Sequence, residues 1–465
     1  MTADQKTLWD KIEQFDFDHP ASEYGFSARL AKENYWTRHF TQQAILEYKK
    51  FMFLAATSEG MVSPSSIVDT VWHQHLVFTQ SYHDFCELVG KQVQHVPSTH
   101  NQEDFQKFKR AKERTGTLYE EVFGKQPAAI WNYQGMFESL KLKKAKLKLR
   151  VFVIIGIFAF VVVAVPFYFL LRSIYVHIDN PSFIFGFTGL SGITFLALEV
   201  YNSFRLKRIT REFDKESFIY SLDPYELVYL DTQKLPNVVH GVVNELVKNE
   251  VVDVYSNNTM ELSKNGSAAT VEQLQVTSML NLLGPTTYQK LMVQMLRMPV
   301  FGNIANSMDA FKKYFNKSVK FGKLFYFNFI VLGILLLLSF TRLVTGVLRH
   351  KPVLFISIIV IVLLGCIVLY LMRLTKLIGV KTIPHLYKKE ILPAMQEKDH
   401  WQWTYFLLGS AVLTASTLTL IDYLKNENAT GSNGNTDTNQ GCGSGGNGDG
   451  GSCGSSCGGC GGCGD

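Results

Sequence analysis

The chain of 465 residues is long enough for two or three domains, and 47% of its residues are hydrophobic. These apolar residues are gathered in blocks, and most of the formal net charge of +6 lies in lysine and arginine clusters beside the blocks. Charge placed in this way argues against a nucleic-acid partner. The amino terminus contains acidic residues and no apolar stretch, which argues against a cleavable signal peptide.

Residues 1–140 are expected to form a soluble helical domain. Within residues 26–56 apolar side chains recur at helical spacing, at Ile45, Tyr48, Met52 and Ala55. Ser63 followed by Pro64 is then typical of a helix start, with an N-cap serine and proline at the first helical position. We predict that this second helix runs to about Val89.

The second helix carries the dense polar group of this domain. Its members are Asp69, Trp72, His73, His75, Tyr82, His83 and Cys86, and His95 and Pro97 follow after Gly90. At 100° per residue, His73 and His75 point about 200° apart, so a regular helix cannot offer both to one ion. A metal site would therefore combine one helical histidine with His95 or His100 from the following loop.

Two interpretations of this polar group stay open. The first is a site for zinc or another soft metal ion, with candidate ligands Asp69, His73, His75 and His95, in which Asp69 and His73 at i and i+4 form a carboxylate–histidine pair. The second is a buried stripe with hydrogen-bonded polar tips, formed by Trp72, His75, Thr79, Tyr82 and Cys86.

The stretch from residue 62 to residue 97 contains a D-x-x-W-H-x-H motif followed by spaced Tyr, Cys, Gly and H-x-P positions. Together with RLAKENYW and EYKKFMFLA before it, and Tyr119, Phe123, Gly124, Pro127 and Trp131 after it, the stretch resembles the glycine-rich-domain-containing-protein family. The resemblance covers about residues 20–135. It implies no catalytic activity.

Three charge-free apolar segments have the length of a membrane-spanning helix, at residues 151–171, 324–341 and 353–372. Residues 183–198 are shorter and rich in glycine, and we expect them to form the returning helix of a hairpin. Residues 403–421 are a possible fifth span or an interfacial helix. Dense basic clusters at residues 141–150, 205–215, 312–323 and 373–389 all fall on one side if the amino terminus is cytoplasmic.

Residues 203–322 form a soluble insert between the second and third spans. Asp223 with Pro224 and Glu226 predicts a helix start, a second helix follows Pro236, and residues 251–255 and 259–262 predict a β-hairpin. This order suggests a winged-helix-like unit. DNA binding is disfavoured because residues 222–271 hold three Lys or Arg against seven Asp or Glu.

LDPYELVYL, the paired spans and the Gly/Cys tail together resemble an uncharacterised family of bacterial multi-pass membrane proteins over about residues 140–465. The tail holds five thiols, at Cys442, Cys453, Cys457, Cys460 and Cys463. Soft-metal capture, thiol exchange, covalent modification and a merely flexible low-complexity tail all stay open for it. A cytoplasmic tail favours metal, and an outward-facing tail favours disulfides.

We therefore expect a mainly α fold with a soluble helical amino-terminal domain, four or five transmembrane helices, a small winged-helix-like α+β insert and a disordered Gly/Cys tail. The predicted domains are 1–140, 141–202, 203–322, 323–373, 374–425 and 426–465. The leading functional hypothesis is a non-enzymatic scaffold or binding protein of the bacterial inner membrane, with the lipid bilayer and a protein as partners. The alternative is a zinc-dependent enzyme or metal-binding protein that uses Asp69, His73, His75 and His95.

Overall fold

The computed structural model describes residues 1–19, 22–96, 102–255, 257–263, 268–395 and 400–430, and in 102–104 and 427–430 it describes the backbone only. The protein is mainly helical, as expected. Seven helices form the amino-terminal part: α1 (Ala3–Gln14), α2 (Phe26–Asn34), α3 (Arg38–Thr57), α4 (Ser66–Val77), α5 (Thr79–Val89), α6 (Gln102–Phe123) and α7 (Ala128–Trp131).

Both long helices predicted in this part are broken. Between α2 and α3, Tyr35 takes a left-handed backbone conformation at φ 56°, and the Thr37 side chain then accepts a hydrogen bond from the Phe40 N–H. A threonine that caps a new helix competes with continuation of the old one. The second helix begins after an N-cap at Ser65, two residues later than predicted, and is interrupted at Phe78.

Four helices are long and apolar enough to cross a membrane. They are α8 (Leu149–Tyr175), α9 (Asn180–Arg211), and, after the insert, α15 (Val319–Leu348) and α16 (Leu354–Leu374). Their outer faces expose many large apolar side chains, as expected for surfaces in contact with lipid. All four predicted spans therefore correspond to helices of membrane-spanning length.

Polar contacts join the four membrane helices at both ends. At one end, the amides of Asn202 and Asn328 exchange hydrogen bonds of 2.8 and 2.7 Å, and Tyr370 accepts a third bond from Asn202. At the other end, the Arg342 guanidinium donates to the carbonyl of Tyr175, the last residue of α8, and to the carbonyl of Ile178, which follows α8. These bonds satisfy groups that would be costly to leave unpaired in lipid.

In its described residues, the insert between α9 and α15 contains five α-helices and a small sheet. In chain order these are α10 (Pro224–Thr232), α11 (Leu235–Lys248), β1 (Val252–Val254), β2 (Thr259–Leu262), α12 (Val271–Leu283), β3 (Thr286–Thr287), α13 (Tyr288–Met295) and α14 (Pro299–Asn316). The predicted capping box at the start of α10 is present, with Asp223 and Glu226 as its two members. The hairpin pairs Asp253 with Glu261, and the antiparallel sheet order is β1-β2-β3.

The amino-terminal helices and the insert share one apolar core. A continuous cluster of buried side chains extends from Ile12 in α1 through the insert to Leu424 near the carboxyl-terminal end of the described chain. The basic segment before α8 pairs with the start of α15, where the Val319 N–H donates to the Lys143 carbonyl at 2.8 Å. The parts predicted to be soluble thus form one body, the soluble body, at one end of the four helices of membrane-spanning length.

The segment considered as a fifth span folds as a bent pair that packs on the insert. After α17 (Ile383–Leu386), the helices α18 (Trp401–Leu408) and α19 (Ala415–Thr430) follow, and the break between the two halves of this pair bends by 61°. Tyr405 donates to the Asn237 carbonyl at 2.7 Å, and the Thr414 N–H donates to Asn244 at 2.7 Å. The pair thus contacts α11 directly.

Candidate metal site

Two of the predicted ligands lie one turn apart on the solvent side of α4. Ser65 fixes the start of this helix by accepting a hydrogen bond from the Val68 N–H. The opposite face of α4 is buried in the amino-terminal core. Asp69 and His73, four residues apart, therefore point to the same side, and the Asp69 Oδ2 atom lies 3.4 Å from His73 Nε2.

His95 completes the group from the loop after α5. Its Nε2 atom lies 3.0 Å from Asp69 Oδ1, and its ring centre lies 4.4 Å from that of His73. The potential ligand atoms of the three residues all lie within 4.8 Å of one another. The exposed fractions of the side chains are 33% for Asp69, 46% for His73 and 19% for His95, so the group is open to solvent on one side.

A chain of aromatic side chains holds the His95 loop against α4. The Trp72 ring contacts the His95 ring at 4.7 Å, edge to face. Trp72 also donates its indole N–H to the Tyr82 hydroxyl at 3.2 Å, and Tyr82 in turn donates to the Val93 carbonyl. Because Tyr82 belongs to α5 and Val93 to the loop, these bonds place His95 independently of its contact with Asp69.

The donor set of one carboxylate and two imidazoles suits Zn²⁺, which binds His nitrogen at about 2.0–2.1 Å and Asp oxygen at about 2.0–2.2 Å. Three protein ligands leave one coordination position for water or another ligand. A carboxylate that already contacts both imidazoles also orients their rings. The arrangement therefore has the chemical composition of a zinc site of the open type.

His75 lies apart from this group. It is fully buried, and its two ring nitrogens lie 2.9 Å from the Tyr48 hydroxyl and 3.2 Å from the Ser81 hydroxyl. Burial lowers the pKa of His75 to about 4, against a smaller opposing effect of Ser81. The ring is neutral near pH 7, and both nitrogens already have partners.

The buried stripe proposed as the alternative is present in part. Trp72, His75 and Cys86 are buried, Tyr82 is half-buried, and Thr79 is exposed. Thr79 is turned outward because the helix predicted to run through it is interrupted at Phe78 and restarts with a different face inward. The buried residues of the stripe thus lie on the core side of α4 and α5, whereas the Asp69 and His73 side chains lie on the solvent side of α4.

The remaining predicted residues do not join the metal group. His83 is exposed and lies 3.2 Å from Glu87 on its own helix. The five tail thiols, Cys442, Cys453, Cys457, Cys460 and Cys463, lie outside the described residues, as does His100.

A second polar cluster, not predicted, lies where the amino-terminal helices contact the insert. The Arg38 Nη1 atom lies 3.1 and 3.0 Å from the two Glu272 carboxylate oxygens, and the Arg38 N–H donates to Glu226 at 3.1 Å. Burial raises the pKa of Asp223 to about 6, and burial together with the Asp223 charge raises that of Glu226 to about 8. The sequence signal for this cluster is the capping box, whose acids would normally be exposed.

Comparison with protein-family models gives a match in the amino-terminal part. The model of an uncharacterised family described as UCP032817-like matches residues 11–116, less than a quarter of the chain, and this stretch includes all three residues of the metal group. No curated protein and no solved structure matches the chain. The match overlaps the stretch that resembles glycine-rich-domain-containing proteins but does not confirm that resemblance. The amino-terminal part of this chain is therefore similar to a family without an assigned function.

Proposed function

We propose that this chain is a membrane-bound metal-binding protein whose soluble body holds one zinc ion at Asp69, His73 and His95. The observation that carries the proposal is the convergence of three ligand atoms within 4.8 Å from a helix turn and a separately anchored loop. Asp69 and His73 would supply the helical ligands, and His95 would close the site from the loop.

The ion would fasten the loop to α4, which is a binding or structural role. This role fits the leading hypothesis of a non-enzymatic scaffold or binding protein, in which the folded soluble surface contacts a protein partner. A zinc enzyme is the second candidate, and the open fourth coordination position favours it, since bound water there would become more acidic. In that case Asp69 would also orient the imidazoles.

We further infer that the protein lies in the bacterial inner membrane with its amino terminus in the cytoplasm. Four dense basic clusters lie at the helix ends next to the soluble body, as the positive-inside rule requires of a cytoplasmic side. The packing of α18 and α19 on α11 supports the same side for residue 430. A cytoplasmic location would keep the tail thiols reduced, which favours soft-metal binding over disulfides.

The test uses the full chain purified in detergent, with all five tail cysteines changed to serine so that only the soluble body can bind zinc. Bound zinc is measured by equilibrium dialysis and elemental analysis. We expect one zinc per chain, and a loss of at least about tenfold in affinity for His73→Ala and His95→Ala. His83→Ala is the matched control, because it removes an exposed histidine of the neighbouring helix.

No stoichiometric zinc in the chain without tail cysteines would refute the site and leave the Asp69–His95 contact as a structural hydrogen bond. Equal loss of zinc in His83→Ala would mean that binding is unspecific. To separate binding from enzymatic use, partner capture from detergent extracts and hydrolytic assays are run on the same zinc-loaded protein. The scaffold hypothesis predicts a recurrent protein partner that the His73→Ala variant retains.

A further inference from the structure

A cleft of about 470 Å³ lies where α16 leaves the membrane on the side of the soluble body. Its walls combine apolar and basic side chains. The apolar group is Leu369, Met372, Leu377 and Val380, and the basic group is Arg373, Lys376 and Lys381. No assigned or proposed role above uses this cleft.

The basic group carries more charge than its neighbours neutralise. The Glu199 carboxylate accepts two bonds from Arg373, at 3.1 and 3.0 Å, and one from Lys381 at 2.9 Å. One carboxylate thus faces two cations. Within the described part of the chain, the exposed Lys376 side chain has no ion-pair partner, so the cleft has a surplus of two positive charges.

The apolar side chains Leu369 and Met372 precede Arg373 and Lys376 along the chain where α16 ends, whereas Leu377 lies beyond them. Leu369 and Met372 are exposed on the last turns of α16, where the span still faces lipid. Arg373 and Lys376 follow at once, while Leu374 turns into the buried core of the soluble body. The cleft therefore passes from hydrocarbon depth to headgroup depth within about two helical turns, each of about 5.4 Å.

A phospholipid presents the same sequence of properties, with acyl chains below a phosphate. We propose that the cleft binds one acidic phospholipid, with its phosphate at Arg373, Lys376 and Lys381 and an acyl chain against Leu369 and Met372. The surplus positive charge selects a lipid with net negative charge over a zwitterionic one, since basic pockets beside membrane helices attract acidic headgroups. Glu199 holds Arg373 and Lys381 in place and leaves Lys376 for the lipid.

The test places the full chain in nanodiscs that contain phosphatidylcholine with a minor fraction of phosphatidylglycerol. Native mass spectrometry then counts the phosphatidylglycerol molecules that stay bound to the protein when it is released from the nanodisc. The wild type is expected to retain one molecule. Lys376→Gln removes one positive charge near the membrane surface and should weaken retention about fivefold. Lys376→Glu changes the net charge by two units and should weaken retention about thirtyfold.

Lys323→Glu is the matched control, because Lys323 is an exposed lysine outside the cleft. It lies near the start of α15, on the side of the soluble body. We expect it to retain phosphatidylglycerol as the wild type does. Thermal unfolding of each variant in plain phosphatidylcholine nanodiscs checks that the change has not unfolded the protein.

Two results would overturn the proposal. Equal retention by the wild type and both Lys376 variants would show that the cleft selects no lipid. Retention of soluble glycerol phosphate by the wild type in phosphatidylcholine nanodiscs, at the level found for phosphatidylglycerol, would assign the cleft to a free anion. In that case the acyl chain would add nothing to binding. Neither result bears on the zinc site.

Discussion

Replacing Arg38 with methionine tests whether charge at the domain junction holds the soluble body together. Its guanidinium contacts both oxygens of Glu272 and lies 3.7 Å from Asp223, and its backbone N–H donates to Glu226. In sequence, Glu226 lies 188 positions and Glu272 lies 234 positions from Arg38. The substitution keeps most of the apolar stem and the backbone bond to Glu226, and it removes the cation that contacts Glu272 and Asp223.

The size of the effect follows from burial. The Arg38 side chain is 32% exposed and that of Glu272 only 5%. Losing one partner of a fully buried ion pair costs about 3–5 kcal/mol, whereas an exposed pair contributes less than about 1 kcal/mol. For a half-buried cation facing a buried acid, we expect the free energy required to open the junction to fall by about 2–3 kcal/mol.

Hydrogen exchange of the full chain in nanodiscs measures this opening at the amides of α3, α10 and α12. Arg29→Met is the control, because Arg29 forms an exposed pair with Glu33 on its own helix and should cost less than about 0.5 kcal/mol. Arg38→Met combined with Glu272→Gln should cost less than the sum of the single changes, since the uncompensated carboxylate is gone. Equal exchange rates in Arg38→Met and Arg29→Met would show that the Arg38 charge does not hold the junction together.

Three further changes test individual buried groups. Because the pKa of Glu226 is raised from 4.5 to about 8 in the folded protein, stability should fall as the pH rises through this interval. Glu226→Gln should therefore make the thermal unfolding temperature depend less on pH between pH 6 and 8. The same slope of unfolding temperature against pH in the variant and the wild type would contradict this. Glu47→Gln should cost about 1–3 kcal/mol in amino-terminal stability, read by tryptophan fluorescence, because Glu47 accepts bonds of 2.6 Å from Trp131 and 2.8 Å from Tyr119; no loss would mean that the amide replaces both bonds. Asn328→Leu should lower the stability of the membrane helices by about 1–2 kcal/mol in detergent titrations, since Asn202 loses its amide partner, and an increase would show that packing outweighs the bonds.

The sequence was informative wherever one local rule acted alone. Four runs of apolar residues predicted four helices of membrane-spanning length, because a bilayer sets both their length and their composition. The capping box at Asp223 and the hairpin around residue 257 were likewise predicted from adjacent residues. Helix geometry places His73 and His75 on different sides of α4; His75, one of the four predicted ligands, lies in the buried core, apart from the group of Asp69, His73 and His95.

Predictions were wrong or incomplete where a local choice competed with another or where distant residues meet. Thr37 ends one helix by capping the next, and nothing in the apolar spacing of residues 26–56 indicates it. The contact of Arg38 with Glu272 depends on the docking of two parts of the chain, and so does the shared core. His95 could be proposed only as one of two loop histidines, because its position depends on the Tyr82–Val93 contact.

X-ray absorption at the zinc edge of the purified protein tests directly whether Asp69, His73 and His95 bind zinc. We predict one zinc per chain with nitrogen and oxygen scatterers at about 2.0–2.2 Å and an imidazole signature from His73 and His95. Sulfur scatterers at about 2.3 Å would instead assign the metal to the tail thiols. Sulfur alone, or the absence of zinc, would contradict a metal site at Asp69, His73 and His95.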